Sequence, residues 1–317
     1  MRSRGFGAVL VCLLATSFAL SVEAGVVKQR KDGEDMRPSG KGWGDSASAQ
    51  GQDARSDAGR ARAARTVRGS GINYHNGPVI LGTTNVYYIW YGNWSTNAQD
   101  ILTNLASSIG GSPYFNINTT YYSTNTGSKK FITNSVQFAG ETNDNYSHGT
   151  ALSDSGVQAV VSSAISSGQL PKDTNAIYFV LTSADVNETS GFCTQYCGWH
   201  THGTISGSDI KYAFIGNPAR CPSACTNGTT PPNGDVGADG AASIIAHELE
   251  EAVTDPDLNA WYDTRGYENA DKCAWTFGTI YTTSNGGKAN VTLGSSDYLI
   301  QRNWVNTGKG SCSMQYP

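Results

Sequence analysis

Residues Ala242–Asp257 read ASIIAHELEEAVTDPD, and within them His247, Glu248 and Glu251 form the pattern H-E-x-x-E. It differs by one letter from H-E-x-x-H, the zinc helix in which two ligands sit one turn apart and the intervening Glu is the general base. With Ile245 set to zero on a wheel of about 100° per residue, Leu249, Ala252 and Val253 fall within about 80° and make a core-facing stripe. His247 and Glu251 fall near about 200° and 240°, on one shared face turned away from that stripe, with Glu248 about 60° further round. The pattern predicts a helix over 239–254, stopped by Pro256, with Glu250 in solvent.

A catalytic zinc site takes three protein ligands and keeps one position open. The stretch 266–273, Gly-Tyr-Glu-Asn-Ala-Asp-Lys-Cys, offers Glu268, seventeen residues after Glu251, and Asp271 three further on. Glu268 is read as the third ligand and Asp271 as the group that orients His247, with the two roles exchangeable. One His with two carboxylates is a harder donor set than two His with one Glu, so zinc is expected while manganese and calcium stay open. Asp255, Asp257 and Asp263 keep a calcium site open as well. The chemistry implied is metal-dependent hydrolysis of a peptide or protein substrate, with Glu248 as catalytic base. His200 and His202, in Gly-Trp-His-Thr-His-Gly after a C-x3-C pair, would share one side of an extended segment. They suit a disulfide-pinned surface loop or a further ligand; Tyr262 is a candidate oxyanion donor.

Other chemistries find little support. There is no G-x-S-x-G elbow, P-loop or dinucleotide fingerprint. Residues 71–317 hold ten basic against nineteen acidic side chains, which disfavours nucleic acid as a partner. After the first 24 residues no stretch approaches the roughly 18 consecutive apolar residues of a membrane span.

The start of the chain carries Arg2 and Arg4, an apolar run over 8–20 and small residues at a cleavage position, so residues 1–24 read as a secretory signal peptide. Residues 25–70 are poor in large apolar groups, carry ten basic and six acidic side chains, and read as a disordered linker or propeptide able to lie across an acidic face. The run Arg60–Arg65 would suit a trimming protease. Export sets the expectation for cysteine. Cys193, Cys197, Cys221, Cys225, Cys273 and Cys312 should form three disulfides. The pairs expected are Cys193–Cys197, Cys221–Cys225 and Cys273–Cys312, with a structural zinc site on the two C-x3-C pairs as the alternative. Sequons at Asn93, Asn118, Asn145, Asn187, Asn227 and Asn290 suit an extracellular glycoprotein with those loops at the surface.

Residues 71–317 then read as one domain. Strands are predicted at Asn85–Trp90 (NVYYIW), Lys130–Phe138, Ala176–Leu181 (AIYFVL) and Ile210–Ile215, and helices at Thr96–Ile109 and Thr150–Ser167, with short strands and turns after Ile280. Alternating strands and helices imply an α/β or α+β fold: a central mixed sheet, an H-E-x-x-E helix, a zincin-like layout and disulfide stabilisation.

Several ordered motifs carry a family resemblance: YHNGPV from Tyr74, NVYYIWYGNW from Asn85, GFCTQYCG from Gly191, the Cys221–Cys225 pair, and NGDVGADG from Asn233. From about Tyr74 onward the chain resembles the plant EXORDIUM, or phosphate-induced protein, family. The resemblance implies secretion to the apoplast or cell wall and a link to growth responses to hormone, phosphate or carbon status; it supplies no biochemical activity. AHELEEAVTDPDLNAWYD followed by GYENADKC departs from the largely apolar segment expected of plant members and resembles metal-dependent microbial relatives. A non-catalytic extracellular or wall-associated glycoprotein in growth or nutrient response is therefore the alternative to a zinc metallopeptidase, and a calcium-stabilised binding module is a third.

Overall fold

The computed structural model describes residues 37–41 and 71–317. The signal-peptide reading of 1–24, and the linker reading of 25–70 apart from 37–41, lie outside the described residues. The main elements are strand β1 (Thr84–Tyr91), helix α1 (Thr96–Ser108), strand β2 (Val136–Asp144), helix α2 (Asp154–Ser166), strands β3 (Ala176–Thr182), β4 (Gly198–Ile205) and β5 (Ser208–Ile215), and helix α3 (Val236–Thr254). They build a mixed α/β fold on a five-stranded sheet of order β2-β1-β3-β5-β4. Neighbours are parallel from β2 to β5. β4 turns back antiparallel to β5 and forms one edge.

The central strands are runs of β-branched and aromatic residues because both faces of this sheet are covered. All seven residues of β3 are buried. α1 starts where Ser95 Oγ accepts the backbone N–H of Ala98 at 3.2 Å, and it buries Ile101, Leu102 and Leu105. α2 is capped in the same way by Ser153 and buries Val157, Val160 and Val161. The expected strand 130–138 divides: Lys130–Phe131 pairs with Tyr122–Ser123, and the sheet strand starts only at Val136. The segment around His200 and His202, weighed as a loop, is the edge strand β4.

α3 departs most from expectation. Seventeen of its nineteen residues are buried, so the face bearing His247 and Glu251 is not an exposed one. The helix packs on α1, β3, β4 and β5, and the polar face is roofed by the chain that follows it. That roof is tied down by polar contacts. Ser243 Oγ accepts the N–H of Gln301 at 3.2 Å, and Asn269 Nδ2 donates to the Glu250 carbonyl at 3.1 Å. Glu250, expected in solvent, is fully buried and its carboxylate accepts from Asn303 Nδ2. Gly198 lets α3 approach β4, since a Cβ there would lie 2.6 Å from Ile244 Cγ2 and 2.9 Å from the Phe214 carbonyl oxygen.

The disulfides are Cys193–Cys221, Cys197–Cys225 and Cys273–Cys312. Only the last pair was expected. The two C-x3-C segments lie side by side and are laced to each other, each bridge spanning 28 residues rather than closing a four-residue ring. The longer loops remove more entropy from the unfolded chain, and no thiolates remain there for a structural zinc. Two sequons are not free surface positions, the second being half-buried. Asn118 is fully buried, and Asn290 commits its side-chain nitrogen to the carbonyls of Phe277 and Ile300 at 2.7 Å. No helix among the described residues is long and apolar enough to cross a membrane.

Candidate metal centre

His247 and Glu251, one turn apart on α3, meet directly: His247 Nε2 lies 3.1 Å from Glu251 Oε1. The segment after the helix closes on them. Asp271 places Oδ1 3.7 Å from His247 Nε2, its backbone N–H donates to Glu251 Oε1 at 2.9 Å, and its Oδ2 accepts the N–H of Glu268 at 3.2 Å. The Cys273–Cys312 bridge and the Asn269–Glu250 hydrogen bond hold this segment against the helix. His247, Glu251, Glu268 and Asp271 are thus gathered in one place.

A fifth donor comes from the sheet. His200 Nε2 is 3.2 Å from Glu268 Oε1 and 3.7 Å from Glu251 Oε2. The small Ala213 stands opposite His200 on β5. Glu251 therefore sits between two sets of donors. His247 and Asp271 approach its Oε1 side, and His200 and Glu268 approach its Oε2 side. Each set of three offers ligand atoms within 4.8 Å of one another, in the range where one cation can draw them together. The signal for His200 was the i, i+2 pair of histidines, which needs a strand for its meaning; a Gly- and Thr-rich GWHTHG conceals one.

Glu248 Oε1 lies beside β4, 3.2 Å from where a Gly198 Cβ would stand. Glu248 also contributes to the electrostatic field on Glu268. The remaining acids have structural duties. Asp255 Oδ1 accepts the N–H groups of Asn259 and Ala260 at 2.6 and 2.5 Å, ending α3. Asp263 accepts from Lys272 Nζ at 3.1 Å and from the N–H groups of Arg265 and Tyr267. Asp257 lies 3.2 Å from Lys211 Nζ. Tyr262 stacks on His75 with ring centroids 3.6 Å apart.

The electrostatics favour a cation. Glu248, Glu251, Asp255, Glu268 and Asp271 are all at most 3% exposed, and the nearby buried Lys272 is committed to Asp263. Buried carboxylates in this number need protons or positive charge. Burial, then the charges of Glu251, Asp255, Asp271 and Glu248, push the Glu268 carboxyl well above the ordinary range. Burial also pushes Asp255 up to about 7, against the pull of its two backbone hydrogen bonds. His200 is held down to about 3 by burial, with His247 and His202 adding to the shift. A neutral imidazole beside carboxylates is a donor set for zinc or a harder divalent ion. The buried His, Glu and Asp groups could hold a metal.

Comparison with known proteins places the same region in context. Residues 72–297 match the conserved region of phosphate-induced protein 1. Protein EXORDIUM-like 3 of Arabidopsis thaliana is 35% identical over 272 residues, covering 74% of this chain and 80% of that protein. Protein EXORDIUM-like 5 of the same plant is 35% identical over 283 residues, 76% of this chain and 77% of the relative. Protein PHOSPHATE-INDUCED 1 of Nicotiana tabacum is 27% identical over 222 residues, 60% of this chain and 67% of its own length. No solved structure matches.

Proposed function

The chain belongs to the phosphate-induced protein 1, or EXORDIUM, family, and from that premise we propose that it is an exported metal-dependent hydrolase acting on peptide or protein substrates. The observation that carries this reading is the gathering of His247, Glu251, Glu268, Asp271 and His200 in one buried cluster. The three disulfides suit an oxidising, extracellular setting.

His247, Glu251 and Glu268 would hold the ion, with Asp271 fixing Glu251 through its N–H and His200 completing the set. A bound zinc ion supplies Lewis acidity towards a carbonyl oxygen and towards water. The chain's own part in the reaction is proton transfer. Glu248 takes the proton of the attacking water on a carboxylate oxygen and returns it to the leaving amide nitrogen.

Elemental analysis and a peptide-library digest test the reading together. Glu248→Gln should retain the metal and lose hydrolysis by roughly a hundredfold or more, the scale of a general base. Equal turnover in variant and wild type would remove Glu248 from the mechanism. One observation favours a second reading: the cluster is closed, with no ligand side chain more than 3% exposed. That suits a non-catalytic extracellular protein of growth or nutrient response in which the ion is a structural staple, and it is supported if metal is present while the digest is empty.

A further inference from the structure

Residues 37–41, Arg-Pro-Ser-Gly-Lys, lie against the edge strand that carries His200. The outward N–H of His200 donates to the Gly40 carbonyl at 3.0 Å. Gly40 has φ +68°, and a Cβ on it would stand 1.9 Å from the His200 carbonyl oxygen and 3.4 Å from Leu258 Cδ1. Only glycine fits so tightly there. One residue on, Lys41 Nζ donates to Asp154 Oδ2 and to Ser190 Oγ, both at 2.6 Å. It also lies 5.2 Å from the Tyr196 ring centroid and 5.5 Å from that of Trp199.

The walls of this pocket are built rather than incidental. Glu188 is 1% exposed, and its Oε2 accepts from the Tyr196 hydroxyl and from Ser190. Its Oε1 and the indole nitrogen of Trp199 are buried without a hydrogen-bond partner. Two carboxylates, a hydroxyl and two aromatic faces form a receptor for an ammonium or guanidinium group. The strand edge beside it supplies a main-chain hydrogen bond for the preceding residue.

We propose that this pocket is a binding site for the basic side chain of an extended segment, and that residues 39–41 occupy it as a latch along the outer edge of the strand that carries His200. Release of the latch exposes the outer edge of β4 beside His200, which makes it the regulator of access to the proposed hydrolytic site. The part concerning access rests on that hydrolytic reading. The part concerning docking does not.

The test uses the full chain and three variants: Lys41→Glu, which reverses the charge; Gly40→Val, which keeps the lysine but wedges the backbone; and Lys41→Glu combined with Asp154→Lys, which restores opposite charges. Hydrogen exchange at the His200 amide reports docking without reference to metal or activity. Either single change should speed that exchange roughly tenfold or more, and the charge-swapped pair should recover much of the protection. A synthetic peptide spanning residues 35–43, added to the Lys41→Glu chain, should restore protection, and the same peptide with Lys41→Gln should not. Unchanged exchange in both single variants overturns the latch. If exchange rises but the rate of zinc uptake, followed with a chelating indicator, does not, docking stands and control of access falls. A chain that takes up no zinc at all defeats the hydrolytic reading while leaving the exchange result to judge the latch.

Discussion

Two groups of histidine and carboxylate lie within one strand's length of each other, and they differ in one respect that decides their chemistry. His200 and His202 are two residues apart on β4 and share a face. His200 joins Glu251 and Glu268 in the buried cluster, whereas His202 lies 2.8 Å from Asp209 and 3.8 Å from Asp257 near the surface. The surface group contains its own cation: Lys211 Nζ is 2.6 Å from Asp209 and 3.2 Å from Asp257. Solvent screens what charge remains. The buried group has more carboxylates and almost no solvent. The same donor types thus make a self-neutralised surface patch in one place and a candidate metal centre in the other.

The contrast breaks most easily at the histidines. His247→Ala should lower zinc affinity by about a hundredfold or more, since a direct ligand outweighs the 10–100-fold typical of an outer partner. His202→Ala should change it by less than about twofold. Isothermal titration of the two variants measures both. A large loss from His202→Ala would mean that the surface patch is the real centre.

The difference sharpens with pH. Glu268 must lose its proton to bind a cation, and its carboxyl is raised well above the ordinary range. Affinity should therefore climb with pH until Glu268 is ionised without metal, by about tenfold per unit if one proton is displaced. Titrations between pH 5 and 8 that show no slope would contradict the protonation assigned to Glu268.

The roof over α3 gives the smallest effect. Burial raises the Glu250 carboxyl well above its ordinary value, opposed by hydrogen bonds from Asn118 and Asn303. A carboxyl raised on folding contributes stability at low pH and loses it as pH rises from the unfolded-state value through the folded one. Glu250→Gln should remove that loss and raise Tm by a few degrees at pH 8, with little change at pH 4, as measured by calorimetry. A lower Tm at pH 8 would show that Glu250 is needed as an anion.

Legibility follows the same division. Strands such as NVYYIW and AIYFVL and the Ser-capped helices announce themselves because their side chains face a continuous core. The H-E-x-x-E helix and its downstream partners Glu268 and Asp271 were legible as a set of donors. Their burial was not, because the roof over residues 261–305 consists of short, Asn- and Gln-bearing segments without periodicity, held by contacts such as Asn303 to Glu250. The crossed pairing of Cys193 with Cys221 and of Cys197 with Cys225 depends on two segments lying side by side, which spacing along the chain does not encode. Asn118 shows the same limit: a sequon is local, and burial is not.

The most direct measurement is the zinc content of the purified full chain after zinc is offered and excess removed, read by elemental analysis beside His247→Ala. A tightly held, near-stoichiometric ion in the wild type that is lost in the variant is the expected result. A wild-type chain that retains none would contradict the metal centre.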